Sequence, residues 1–336
     1  MKRYLVIKGR AGLGNRMLAG VTGLLYAQLS GRTPVFDWRD SVYSHNGEDA
    51  FARLFHCPAA GALDDLPDTD SVAPIVWRGH LAKSLTDLEG AVGKHRRDEV
   101  LALRRRSCID LTRLDHPEQI VVAWGWADRI EWLRHHLGPE LARSSRKALL
   151  HGLLREHLRP CAEVAEQAAA FRREHLDAPS VGVHVRWSDS RSPLGAIEQR
   201  LDRLLHRHPG LTVFLATDSA AIEERFLLRG NVVTAPRWYP EPNMAMHNNP
   251  SSPDPLAHAR EALLDMHLLA GCDHLIGGLS STFFETAGLL ADPPGPNLMN
   301  VAPPTALRIQ NAVWRRVHQT HLSRPLLVYI SRRGGP

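Results

Sequence analysis

The sequence predicts an α/β protein of two domains, each a parallel sheet with helices between its strands. Three observations carry that prediction. The chain has 336 residues, too many for one ordinary core and enough for two domains of roughly 150 residues each. Short apolar runs alternate with helix-patterned stretches in both halves, as parallel strands joined by right-handed crossovers require. Between the halves lies a helical stretch from about 128 to 176, poor in glycine and rich in Leu, Arg, Glu and Ala. The boundary is expected near Arg159-Pro160, dividing the chain into 1–158 and 159–336, with a last helix expected to pack back on the first domain.

The first forty residues read as a β-α-β unit. Residues 3–8 are an apolar strand, and Gly9 to Gly14 form a loop with three glycines. Residues 15–30 are a helix, with Leu18, Val21, Leu25 and Leu29 at helical spacing. Gly31 stops that helix, and residues 33–38 give the second strand. Loop signals dominate 39–118, and 120–124 is a further short strand. The second half alternates more regularly. Strands are expected at 180–185, 211–216, 231–234 and 274–277, and helices at 194–207, 219–228, 257–270 and 283–290. The segment 235–256, broken by Pro, Asn and Met, is expected to be a loop and a candidate acceptor lid.

Composition narrows the function. Hydrophobic residues make up 43% and charged residues 23%, which fits a globular protein and excludes disorder, collagen and coiled coil. The net charge is +5, carried by 36 Arg and only 5 Lys. Guanidinium grips phosphate with two prongs, so such a surface suits anionic ligands. The arginines are scattered, without the basic, aromatic-interleaved stripe of a nucleic-acid site. The four cysteines lie far apart and form no CxxC pair, and the 19 histidines show no HExxH spacing. No metal site is therefore expected. No signal peptide and no apolar run of 18 residues is visible, so a cytoplasmic, unanchored protein is expected.

The chemistry is expected at the strand ends of the second half, because ligands of parallel α/β sheets sit beyond the carboxyl ends of the strands. The first strand there runs into Arg186-Trp187-Ser188-Asp189, the second into Thr217-Asp218-Ser219, the last into Gly278-Leu279-Ser280-Ser281-Thr282 just before a helix. Small residues, hydroxyls and a helix N-terminus with unpaired N–H groups make a phosphate cradle, and Arg186 supplies a fixed positive charge beside it.

These segments resemble a known family. Val183 to Asp189, Phe214 to Ser219, and Asp265 to Leu269 continuing through Ile276 to Thr282 are similar to the three linked motifs of GDP-fucose-dependent fucosyltransferases, nearest to the α1,6 group that includes rhizobial nodulation enzymes. Gly12-Leu13-Gly14-Asn15-Arg16, Gly31-Arg32-Thr33 and Asp37-Trp38-Arg39 resemble the opening of that superfamily, which the α1,2 and protein O-fucosyltransferases share. The resemblance covers both halves in order. It implies a GT-B fold, two Rossmann-like domains facing a cleft, with donor bound by the C-terminal domain and acceptor by the N-terminal one. It implies inverting transfer of a sugar, L-fucose in this family, from a GDP-sugar to a hydroxyl of a carbohydrate, natural-product or peptide acceptor, without a metal or other cofactor. His184, Arg186, Asp218, Asp265, Ser280, Ser281 and Thr282, with Gly12, Gly14 and Asn15, would hold the donor. Asp265 would read guanine and Arg186 would grip the β-phosphate. Arg16, Trp38 and Arg39 would face the acceptor.

One departure matters for catalysis. The α1,6 enzymes acting on N-glycans carry a second arginine where this chain has Trp187, and a proposed basic glutamate a few residues beyond the aspartate. Here Asp189 is followed by Ser190-Arg191-Ser192-Pro193-Leu194, and Glu198 lies farther along on a helix. The base is left open among Asp189, Asp37 and Asp40, or none. Three other functions are compatible with parts of the sequence. Gly12-x-Gly14 between strand and helix, with Asp37 ending the next strand, is compatible with an NAD-type oxidoreductase, although Met17 occupies the third glycine position. Asp68-Thr69-Asp70 would serve a metal-dependent transferase. A non-catalytic GDP-sugar-binding relative would keep the cradle without the base.

Overall fold

A computed structural model describes residues 1–45, 47–89, 103–241, 244, 252–278, 281–294 and 298–301. Eleven strands fall within these residues: β1 (Tyr4–Lys8), β2 (Thr33–Asp37), β3 (Phe55–His56), β4 (Val72–Ala73), β5 (Ile120–Ala123), β6 (Arg159–Pro160), β7 (Ser180–Val185), β8 (Thr212–Thr217), β9 (Val232–Val233), β10 (His274–Gly278) and β11 (Leu298–Val301). The helices of eight or more residues are α1 (Leu13–Ser30), α2 (Arg146–His157), α3 (Ala162–His175), α4 (Leu194–Arg207), α5 (Ala220–Leu227), α6 (Pro255–Ala270) and α7 (Thr282–Leu290).

The strands form two separate parallel sheets. The N-terminal sheet has the order β2-β1-β5-β4 and the C-terminal sheet β11-β10-β7-β8-β9. A small antiparallel pair, β3 with β6, ties the linker back to the first half, Phe55 opposite Pro160. Residues 159–160 therefore still pair with the N-terminal half, just past the expected boundary. The helical stretch 128–176 is interrupted rather than continuous. A turn of helix at Ile130–Leu133 and another at Pro139–Arg143 precede α2, and Pro160 separates α2 from α3. Each proline removes a backbone donor that a continuing helix needs. Ser145 starts α2 afresh by accepting a hydrogen bond from Ala148 N at 3.1 Å.

Alternation along the central strands sorts the core. In β7 and β8, Val181, Val183, Val185, Val213 and Leu215 point to one face, where Ile197, Leu201 and Phe226 of α4 and α5 cover them. Residues of opposite parity, including Phe214 and Ala216, belong to a second, larger core shared with Leu263 and Leu268 of α6 and with the N-terminal domain. The two domains are thus joined through a continuous apolar core. At its centre α7 lies against α1. A Cβ on Gly14 would meet Thr282 O at 2.6 Å, so only glycine permits this approach.

Helix ends follow their sequence. Gly31 closes α1 in the left-handed conformation, φ 63°, with its N–H turned back to Ala27 and Gln28 carbonyls. Asp254 caps α6 by accepting from Ala257 N, and Pro255 takes the first helical position, so α6 starts two residues before the expected 257. Among the described residues no helix is long and apolar enough to cross a membrane. The expectation that a final helix packs back on the first domain falls outside the described residues.

Candidate active site

The C-terminal ends of β7 and β8, one face of α6 and the start of α7 meet residues 12–15 and 41–43 of the first domain around a cavity of about 510 Å³. Parallel strands place their carboxyl ends together, which gathers side chains distant in sequence.

Arg186 leaves the end of β7 into this cavity and is locked by Asp189, Nε to Oδ1 at 2.7 Å and Nη2 to Oδ2 at 2.6 Å. Across the cavity wall stands the start of α7. Ser281 caps it, its Oγ accepting from Phe284 N at 3.3 Å, and Ser281 and Thr282 both line the cavity. A guanidinium and a helix N-terminus therefore share one crevice. Ser280, expected in the same cradle, lies outside the described residues. Asp218 holds the turn after β7: it accepts from Trp187 N at 2.5 Å, Ser188 N at 3.0 Å and Ser188 Oγ at 2.6 Å. Its carboxylate braces the loop that aims Arg186 and also lines the cavity.

His184 is buried beside Arg186, with its ring stacked on Phe283 at 5.1 Å. Burial, with the positive charges of Arg186 and Arg237, pushes its pKa down to about 3. It is a neutral imidazole at any physiological pH, and its Nδ1 has no partner among the described residues. Asp265, buried on α6, also faces the cavity. Burial pushes its carboxyl up to about 7 although Arg237 pulls the other way. The Arg237 guanidinium donates to Asp265, to Leu215 O at 3.1 Å and to Thr217 O at 3.3 Å.

Gly12, Gly14 and Asn15 line the cavity as expected, but Gly14 has a second reason, the close approach to Thr282. Four expectations need correction. Asp37, a candidate base, is buried between Lys8 at 2.5 Å and Arg39 at 2.9 Å, and it does not line the cavity. Those two cations hold its carboxyl below the usual range against the opposing effect of burial. Trp38, expected at the acceptor, is 1% exposed and packs edge-on against Phe36, Phe51 and Phe55. Arg39 folds onto Asp37 instead of reaching the cleft. Arg16 is buried behind the cavity wall, where its guanidinium lies between the Trp38 and Tyr43 rings and pairs with Asp40 at 2.5 Å. The resemblance implied a cleft-facing place for these residues; the core beneath the glycine loop takes Arg16, Asp37 and Trp38 instead, and Arg39 stays half-buried on Asp37. Asp189 is in the cavity but committed to Arg186, which makes it an orienting partner.

Several lining residues had no motif. Tyr43 comes from an irregular loop, and Arg237 from the segment flagged only as a lid. Pro255, His258, Glu261 and Ala262 recur with Asp265 at helical spacing along α6, a signal that was legible once the helix was placed. The rival sites lack support in this geometry. Both Asp37 oxygens are taken where a ribose would need one, Oδ1 by Arg39 Nε and Oδ2 by Lys8, and Asp68 and Asp70 lie outside the cavity.

The architecture is the GT-B fold, two parallel α/β domains facing a cleft. No protein-family model matches the chain. It is 24% identical over 302 residues, 82% of its length and 75% of the relative's, to Nodulation protein Z of Bradyrhizobium diazoefficiens. Its structure is similar to the NodZ alpha-1,6-fucosyltransferase soaked with GDP-fucose, with a TM-score of 0.61 at 22% identity over 89% of this chain and 95% of that one. It is also similar to FUT1 of Arabidopsis thaliana in complex with GDP, with a TM-score of 0.57 at 15% identity over 91% of this chain and 72% of that one. These likenesses show a fold shared with the two solved enzymes.

Proposed function

We propose that this chain is a fucosyltransferase that moves L-fucose from GDP-fucose to an acceptor hydroxyl with inversion and without a metal. The observation that carries the reading is that Arg186, the α7 N-terminus and Asp265 line one cavity. A diphosphate between the first two would leave its guanine within reach of the third. The Asp265 carboxylate then accepts from guanine N–H donors that adenine does not present in that pattern. As the sugar–phosphate bond breaks, negative charge grows on the β-phosphate. Arg186, already oriented by Asp189, and the helix N–H groups stabilise that charge more than the ground state. Arginine supplies the positive charge that a divalent ion supplies in other transferases, so transfer is expected to persist in chelator.

With Asp37 buried and Asp189 paired, the reading places most of the catalysis on the leaving group. A general base adds about 10²–10⁴-fold, a gain that a loosely bonded, cation-like sugar can forgo. The acceptor is a hydroxyl-bearing molecule approaching from the N-terminal domain, and the protein acts in the cytoplasm. Calorimetry with GDP, GDP-fucose, GDP-mannose, UDP and NAD, without metal, tests the donor. Tight binding of GDP and GDP-fucose is expected; binding of NAD alone sinks the assignment. GDP binding with neither transfer nor donor hydrolysis would leave a non-catalytic relative.

A further inference from the structure

We infer that Arg237 is a specificity-determining positioning residue, which holds the Asp265 carboxylate ionised and aimed at guanine. This rests on the donor reading above and deepens it. Arg237 follows β9 and belongs to none of the motifs that carry the family resemblance. Its side chain is only 2% exposed, an expensive place for a cation unless its donors find partners. Four of its five N–H donors are used. Nε reaches Ala235 O at 3.2 Å, Nη1 reaches Thr217 O at 3.3 Å and Asp265, and Nη2 reaches Leu215 O at 3.1 Å. One guanidinium thus clasps the end of β8, the chain after β9 and the carboxylate on α6. Lysine has neither the planar fork nor the donor count to do this.

The surroundings set the charge balance. Glu223 of α5 lies 3.8 Å from Arg237 Nε and also accepts from Thr234 Oγ1 at 2.8 Å and from the Tyr239 hydroxyl. Glu261, one turn before Asp265, accepts from Trp238 N at 2.9 Å. Two carboxylates therefore face Asp265 and oppose its ionisation, and Tyr239 stands beside them. On the cavity side stand the neutral His184, Arg186 and, two turns before Asp265 on α6, His258, whose pKa burial also lowers. Arg237 is the cation in direct contact with Asp265 among the described residues. Without it a buried carboxyl between two glutamates takes up a proton, and a protonated Asp265 loses acceptor capacity toward two guanine donors.

The test is calorimetry of the full chain with GDP and, separately, with inorganic pyrophosphate, between pH 6 and 8.5. In the wild type, GDP affinity is expected to fall as pH drops below about 7, while pyrophosphate binding changes little. Arg237→Gln should weaken GDP at pH 7 by at least about tenfold, move the fall in affinity to higher pH, and leave pyrophosphate unchanged. Arg237→Lys should keep the wild-type pH midpoint and bind GDP more weakly, and it carries the test if the glutamine variant does not fold. Equal losses of GDP and pyrophosphate with no pH displacement would reduce Arg237 to a structural clasp and overturn the inference. Wild-type protein that binds pyrophosphate but discriminates no guanine nucleotide would remove the donor reading, and this inference with it.

Discussion

Gly14 of α1 rests directly on the backbone of Thr282 at the start of α7, and Thr286 Oγ1 reaches back to Gly14 O at 3.5 Å. The first helix of one domain is thereby seated against the cavity-lining helix of the other. Gly14→Ala puts a methyl group 2.6 Å from Thr282 O, so one helix must shift. Overpacking of this kind costs about 1–3 kcal/mol. Denaturant melts should show that loss, and GDP affinity should fall with it. A variant with unchanged stability and unchanged affinity would mean that the two helices yield without consequence.

Arg186→Lys keeps a positive charge but not the two-pronged contact with Asp189 or with a phosphate. Loss of a preorganised donor at a developing charge costs about 10²–10³-fold. Single-turnover transfer is expected to fall by about that factor while GDP binding falls less, because the missing interaction strengthens only as the bond breaks. Near-wild-type turnover would remove Arg186 from the chemistry.

What the sequence made legible was the second half, for a physical reason. Strands buried on both faces read as continuous apolar runs, and the polar residues that end them stand out: Arg186, Asp218 and Ser281 were visible in that way. The first half was harder to read. Arg16, Asp37 and Trp38 sit at the same kind of strand-to-helix turn, yet they point inward, and buried ion pairs such as Lys8–Asp37 carry no sequence signature that separates them from exposed ones. Arg237 and Tyr43 were illegible because their positions depend on how irregular chain packs against α5, α6 and α1, not on any periodicity.

His184 gives the fold a pH dependence of known sign. Its folded pKa of about 3 lies below the ordinary 6.5, so between those values the unfolded chain binds more protons than the native one. Its contribution is fully present above pH 6.5 and is lost as pH falls toward 3, at up to about 1.4 kcal/mol per pH unit. His267, buried and pushed down to about 4, adds to the same trend over its own narrower range. Unfolding curves for His184→Gln should be flatter between pH 6.5 and 4 than those of the wild type. Parallel pH profiles for the two proteins would show that His184 takes up its proton without leaving the native state.

Asp218 separates positioning from charge. Its two oxygens take three hydrogen bonds from Trp187 and Ser188, fixing the turn that carries Arg186 into the cavity. Asp218→Asn retains one acceptor oxygen and the shape of the side chain; Asp218→Ala retains neither. Each hydrogen bond to a carboxylate contributes roughly 1.5–3 kcal/mol, so the alanine variant frees the turn. If the role is positioning, transfer falls in the order wild type, asparagine, alanine, and Arg186→Lys added to the alanine variant costs little more, because the guanidinium is already misplaced. If Asp218 instead acted on the donor by its own charge, asparagine and alanine would be equally impaired, and the second substitution would multiply the loss. A double-mutant cycle on transfer rates decides between the two, since residues acting through one another give non-additive losses.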